Sequence, residues 1–285
     1  MPKNYRTSVS ETRLKKEGQL ILQNIHTHNK AYGGHFIEVT AGTGKGKTAL
    51  LLSTALYNLR HFPKEKTFFS ECFDTPIQTL KLGKEKVLFL IPVGESGKII
   101  FRDRDKHLEE IPYENLNVEF FKDMNDLYDR AHFDKINVPV FPNRRSIMDF
   151  IKFTTGIGDF VTVLIDEMSE IATALDSGTW QAMQQWGFMC KDLRKCMVNV
   201  WYTAQNLGQV DWRIRGAVDM KIFGPGARED RYSRVMQKAI DNLIVDKSHG
   251  SEFYISDGGT FGLFRLTDIF EPQEGLNYEI HRKAN

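Results

Sequence analysis

The stretch HFIEVTAGTGKGKTALLLSTALYNLR, residues 35 to 60, decides the fold. His35-Phe-Ile-Glu-Val-Thr40 alternates as a strand does, and Gly42, Gly44 and Gly46 punctuate the turn that follows. From Lys47 to Arg60 the chain carries Ala49, Leu50, Leu51, Leu52, Ala55, Leu56 and Leu59, an apolar face broad enough for a helix buried against a sheet. Strand, glycine turn and buried helix open an α/β domain.

Outward from this unit, further strands are expected at Lys86–Pro92, Asn117–Phe121, Val161–Ile165, Met197–Thr203 and Met220–Phe223. Val161–Ile165 and Met197–Thr203 are nearly unbroken apolar runs, as central parallel strands covered on both faces require. Ser169–Lys195 between them reads as mostly helical. Glu252–Ser256 and Thr260–Leu266 flank Asp257-Gly258-Gly259 and predict a C-terminal β-hairpin. Residues 1–34 read as an N-terminal helical arm, helix-prone around Glu11–Ile25. Residues 35–285 read as a single domain in which 62–142, polar and charged, is an irregular elaboration. The expected architecture is a mostly parallel sheet with helices on both faces.

Of 285 residues, 41% are hydrophobic and 26% charged, which excludes a disordered or collagen-like chain. Lys plus Arg number 38 against 37 Asp plus Glu, so any hold on nucleic acid must come from local basic loops or from a ring that gathers them. No apolar run approaches the roughly 20 residues of a membrane span, and residues 1–19 carry charge with no apolar core behind it, unlike a signal peptide. Cys72, Cys190 and Cys196 lack paired spacing and are expected as reduced structural thiols in a cytoplasmic protein. His26 and His28 have no third ligand at metal spacing.

Residues 41–48, Ala-Gly-Thr-Gly-Lys-Gly-Lys-Thr, fit the Walker A pattern at Gly46, Lys47 and Thr48, with Ala41 in place of the first glycine. The backbone of Gly42, Thr43, Gly44, Lys45 and Gly46 would wrap a phosphate, and the helix start at Lys47, Thr48 and Ala49 would offer its positive end. Only Lys47 precedes a hydroxyl residue, so it rather than Lys45 is the expected phosphate lysine, and Thr48 the expected Mg²⁺ ligand of an ATP complex. Val161-Thr-Val-Leu-Ile-Asp166-Glu167 is an apolar strand ending in two acids, the form of a Walker B segment. Asp166 would hold the metal and Glu167 would deprotonate the attacking water. The next apolar strand ends Tyr202-Thr-Ala-Gln205. If it flanks adjacent Walker A and Walker B strands, Gln205 reaches the γ-phosphate from the side. Arg194, in Lys191-Asp-Leu-Arg194-Lys195, is a candidate arginine finger for a neighbouring subunit's ATP, with Arg213 and Arg215 as a second basic site.

This ordered set, A-G-T-G-K-G-K-T, V-L-I-D-E, L-R-K before an apolar strand, then Y-T-A-Q, resembles the FtsK/HerA superfamily of ring-forming DNA-pumping ATPases, the virus-packaging and mobile-element members above all. Arg194, Lys195 and Gln205 match its spacing, while Leu193 and Asn206 stand where it has glycine and arginine. The resemblance implies a P-loop NTPase fold of the RecA/ASCE kind and a hexamer with ATP sites between subunits. It also implies sequence-independent double-stranded DNA in the pore. The alternatives are a filamentous-phage-type assembly or secretion ATPase, a non-hydrolysing nucleotide-dependent interaction protein, and a nucleotide kinase.

Overall fold

Strands β1 (Phe36–Thr40), β9 (Val161–Ile165) and β10 (Val198–Ala204) bury every one of their residues, so all three must lie inside a sheet covered on both sides. The computed structural model describes residues 11–26, 33–73, 78–80, 86–103, 106–172, 180–205, 210–228, 234–244, 251–266 and 276–283. His28 and Asn206 lie outside them. So do parts of the 1–34 and 62–142 segments.

In chain order the other strands are β2 (Lys66–Cys72), β3 (Gln78–Leu80), β4 (Val87–Pro92), β5 (Gly97–Asp103), β6 (Lys106–Pro112), β7 (Val118–Phe121), β8 (Ile136–Phe141), β11 (Met220–Phe223), β12 (Glu252–Ser256), β13 (Phe261–Arg265) and β14 (Leu276–Arg282). Among the described residues ten strands form one sheet, ordered β13-β12-β11-β1-β10-β9-β2-β8-β4-β7. From β11 to β7 every pairing is parallel, and β12 and β13 add the C-terminal hairpin antiparallel to it. A second, antiparallel sheet runs β3-β14-β5-β6.

Helices cover both faces. On one, α2 (Lys47–His61) sets Leu50, Leu51, Leu52, Ala55 and Leu56 against Ile37, Val39, Leu164 and Trp201. On the other, α3 (Arg145–Thr154) and α4 (Trp180–Asp192) bring Phe150, Ile151, Trp186 and Cys190 against Val163, Val200 and Tyr202. Helix α1 (Glu11–His26) lies along β13 so closely that a methyl group on Gly18 would stand 2.4 Å from the Leu263 carbonyl oxygen. No described helix is long and apolar enough to cross a membrane.

One condition fails and one expectation is corrected by this topology. The Walker A and Walker B strands are not adjacent: β10 is inserted between β1 and β9, pairing Thr40 with Ala204 on one side and Tyr202 with Ile165 on the other. Its apolar residues on both faces admit nothing but an interior position. Segment 62–142 is not irregular: β4 and β7 form where strands were expected, and β2 and β8, which were not expected, join the main sheet beside them. Strands β2 and β8 hide their nature behind polar residues whose needs are met locally. Asn137 is fully buried and donates from its amide to the Thr67 and His132 carbonyls at 3.1 and 2.8 Å, and Lys66 lies 4.1 Å over the Tyr128 ring. Pro139, which has no N–H to give, falls where the β2–β8 pairing skips from Phe68–Asn137 to Glu71–Val140.

Candidate functional site

Because β1, β10 and β9 run parallel, their carboxyl ends fall on one edge of the sheet. The loop at 41–48, the acids Asp166 and Glu167, and Gln205 all emerge there. The loop bends through left-handed glycines, Gly44 at φ +69° and Gly46 at φ +96°, a conformation closed to most side chains. Gly46 caps the start of α2, whose first residue Lys47 is 7% exposed. Its ammonium donates to the Ala41 and Gly42 carbonyls at 2.9 and 3.4 Å, so the loop is already curled around the cation. Burial lowers the Lys47 pKa, while the Glu167 and Asp166 carboxylates work to raise it.

Ala41, which departs from the motif, is fully buried and has a reason to be small. Gly224, just beyond β11, closes on it from the next strand, and a methyl group on Gly224 would meet Ala41 Cβ and the Phe253 ring at 2.7 Å each. The turn Gly224-Pro225-Gly226 is hydrogen-bonded to the loop on both sides: Gly224 N–H donates to the Thr40 carbonyl at 2.7 Å, and Gly42 N–H to the Pro225 carbonyl at 2.9 Å. Sequence reading passed over this turn, although Gly-Pro-Gly directly after an apolar strand is a visible signal.

Thr48, in the first turn of α2, donates from Oγ1 to Asp166 Oδ2 at 2.8 Å. On the other oxygen, Thr203 Oγ1 donates to Asp166 Oδ1 at 2.6 Å, and the same hydroxyl accepts the Glu167 N–H at 2.8 Å. Glu167 itself sits in the left-handed region at φ +62°, rare for a residue with a side chain. Its Oε1 accepts from the Ser169 hydroxyl and, at 3.3 Å, from the Gln205 N–H. The Gln205 Oε1 in turn accepts from Thr43 Oγ1 at 3.1 Å, which ties the strand end back to the glycine loop. Thr48, Asp166, Glu167, Gln205, Thr43 and Lys47 are thus brought together. Thr203 and Ser169 were not singled out from sequence. Strand alternation puts Thr203 on the face of Gln205, two residues away, which is the signal that was there to find.

Arg194 is not at this edge. Its carbonyl accepts the Gly34 N–H at 2.9 Å, below the first residue of β1 and at the amino end of the sheet, roughly 20 Å of strand from the loop. It cannot reach the P-loop of its own chain from there. Arg213 is held by Asp211 at 3.0 and 3.1 Å, so its guanidinium is already engaged. Arg215 has its Nε buried without a hydrogen-bond partner among the described residues.

Matched against protein-family models and against curated proteins, the sequence finds no counterpart. The fold does. The genome packaging NTPase B204 from Sulfolobus turreted icosahedral virus 2, in complex with ATP-gammaS, superposes with a TM-score of 0.52 at 12% identity, over 83% of this chain and 98% of that one. The same protein with AMPPCP gives 0.51 at 11% identity, over the same shares of the two chains. The N-terminal domain of zonular occludens toxin from Neisseria meningitidis gives 0.39 at 12% identity, over 84% of this chain and 100% of that one, a likeness on which nothing below rests. The α/β fold with its mostly parallel sheet matches P-loop NTPase structures.

Proposed function

We propose that this chain is an ATPase whose turnover drives double-stranded DNA through a ring of its own copies, as a packaging or transfer motor. The observation that carries the reading is the pairing of Thr48 with Asp166, with Glu167 one residue on and Lys47 buried beside both carboxylates. A binding loop alone has no use for the second acid.

In this reading the glycine loop and Lys47 hold the β- and γ-phosphates of ATP, and Gln205 senses the γ-phosphate from the inserted strand. Thr48 and Asp166 fit Mg²⁺, being a hydroxyl and a carboxylate, hard oxygen donors already side by side. The bound ion would neutralise charge on the phosphate oxygens. Glu167 takes the proton of the attacking water. Arg194, out of reach of its own loop, would serve a neighbouring subunit. The fold shared with a viral genome packaging NTPase supports the choice of DNA as the load, and a near-neutral subunit suits a pore that sums a few cations from each copy.

The test is ATP hydrolysis with and without duplex DNA, over a series of salt concentrations. Stimulation that ignores base sequence and fades steeply with salt is the expected result, because a motor gripping phosphates releases counterions. Turnover indifferent to DNA would overturn the motor, and no turnover under any condition would overturn the enzyme.

A further inference from the structure

We infer that Thr203 is a positioning residue of the ATPase: its hydroxyl locks the two acids of the site into one unit from the strand inserted between them and the glycine loop. The inference deepens the proposed function and rests on it. A threonine hydroxyl has one proton to give. Here it goes to Asp166 Oδ1 at 2.6 Å, which leaves the oxygen's lone pairs for the Glu167 N–H at 2.8 Å. Thr203 itself is wholly buried, so its hydroxyl has no exposed face of its own.

What the hydroxyl holds is unusual. Glu167 has its backbone at φ +62°, where a side chain is tolerated only if its surroundings impose it. The peptide N–H at this residue is the one Thr203 accepts. The Glu167 side chain is then presented to Ser169 and to the Gln205 N–H, which lies two residues past Thr203, just beyond β10. Asp166 is gripped on its two oxygens by Thr48 from the helix and Thr203 from the strand, so neither oxygen can swing. One hydroxyl therefore sets the direction of the acid that faces the metal position and the backbone of the acid that faces the water.

The test compares Thr203→Val, which keeps the shape and removes the hydroxyl, with Thr203→Ser, which keeps the hydroxyl. Thr203→Val should lower kcat roughly 10- to 100-fold, the usual scale for losing an outer-shell hydrogen bond. ATP affinity measured without Mg²⁺ should stay within about twofold, because the glycine loop and Lys47 are untouched. Thr203→Ser should recover most of the rate. Should Thr203→Val not fold, Thr203→Ala makes the same deletion without added bulk and is read in the same way. A hydroxyl-free variant with the wild-type kcat, or a folded Thr203→Ser as slow as Thr203→Val, overturns the assignment while leaving the ATPase reading intact. A wild-type protein that hydrolyses no ATP overturns both together.

Discussion

Thr48 and Asp166, 118 positions apart in the chain, are joined by a hydrogen bond of 2.8 Å from Thr48 Oγ1 to Asp166 Oδ2. Helix α2 and strand β9 therefore meet at the point where a metal–phosphate complex would sit. Thr48→Val should reduce the ATP affinity measured with Mg²⁺ toward the value measured in chelator, and lower turnover by about 100-fold. Isothermal titration in the two buffers reads the first effect directly. Equal Mg²⁺ enhancement in variant and wild type would remove Thr48 from the metal site.

Lys47 and Glu167 should separate binding from chemistry. Lys47→Ala leaves phosphate without its buried cation and should abolish detectable ATP binding. Glu167→Gln keeps the side chain's shape and should bind ATP normally while turnover falls on the order of 10² or more. A Glu167→Gln protein that hydrolyses at the wild-type rate would show that another group is the base.

Gly224→Ala should damage nucleotide binding from outside the loop. Its new methyl group would meet Ala41 Cβ and the Phe253 ring at 2.7 Å, forcing the loop to shift at a cost of about 1–3 kcal/mol. Ala41→Gly in the same chain vacates half of that clash and should recover part of the affinity. Additive losses in the double variant would mean that the two residues do not share one space.

Arg194 sits at the far end of the strands from its own loop, so Arg194→Ala should leave ATP binding by each subunit unchanged. If it acts on a neighbour, Arg194→Ala alone should lose turnover. Mixed rings of Arg194→Ala and Glu167→Gln subunits should regain part of it, since some sites then pair an intact Glu167 with an intact Arg194. Arginine fingers contribute roughly 10³ to 10⁵ in rate, so a small repaired fraction is measurable. Confirmed mixed rings no more active than either parent would end the trans role.

Alkali should destabilise the fold. Burial pushes the Cys72 and Cys190 thiols from 9.0 up to about 12, and the Tyr128 phenol to about 12. Above pH 9 the unfolded chain loses these thiol protons while the folded chain keeps them. The stabilisation is thus whole below pH 9 and drains away toward pH 12, at about 1.4 kcal/mol per pH unit for each thiol. Urea midpoints at pH 8, 9.5 and 10.5 should fall in that order, and the two buried thiols should resist alkylation at pH 8. A flat series would mean these groups ionise as freely in the folded protein as in the unfolded one.

The sequence by itself determined what depends on neighbours along the chain. Strand, glycine turn and helix at residues 35–60 are a local pattern, as are the apolar run ending in Asp166-Glu167 and the hairpin around Asp257-Gly258-Gly259, and each forms where its residues predict. Only the tertiary structure decided which strands touch. Pairing across the sheet joins residues far apart in the chain, and an unbroken apolar run says that a strand is interior without saying between which neighbours. Hence β10 stands between β1 and β9, and Thr203 comes to hold Asp166 and Glu167. Strands β2 and β8 were illegible for a related reason: Lys66 finds the Tyr128 ring and Asn137 the Thr67 carbonyl, partners about 60 to 70 positions away that only folding brings near, and Pro139 interrupts the strand signal of β8. Arg194 lies at the amino end because it directly precedes β10, which runs parallel to β1 from that edge toward the loop; its place along the chain implied this once the strand direction was known.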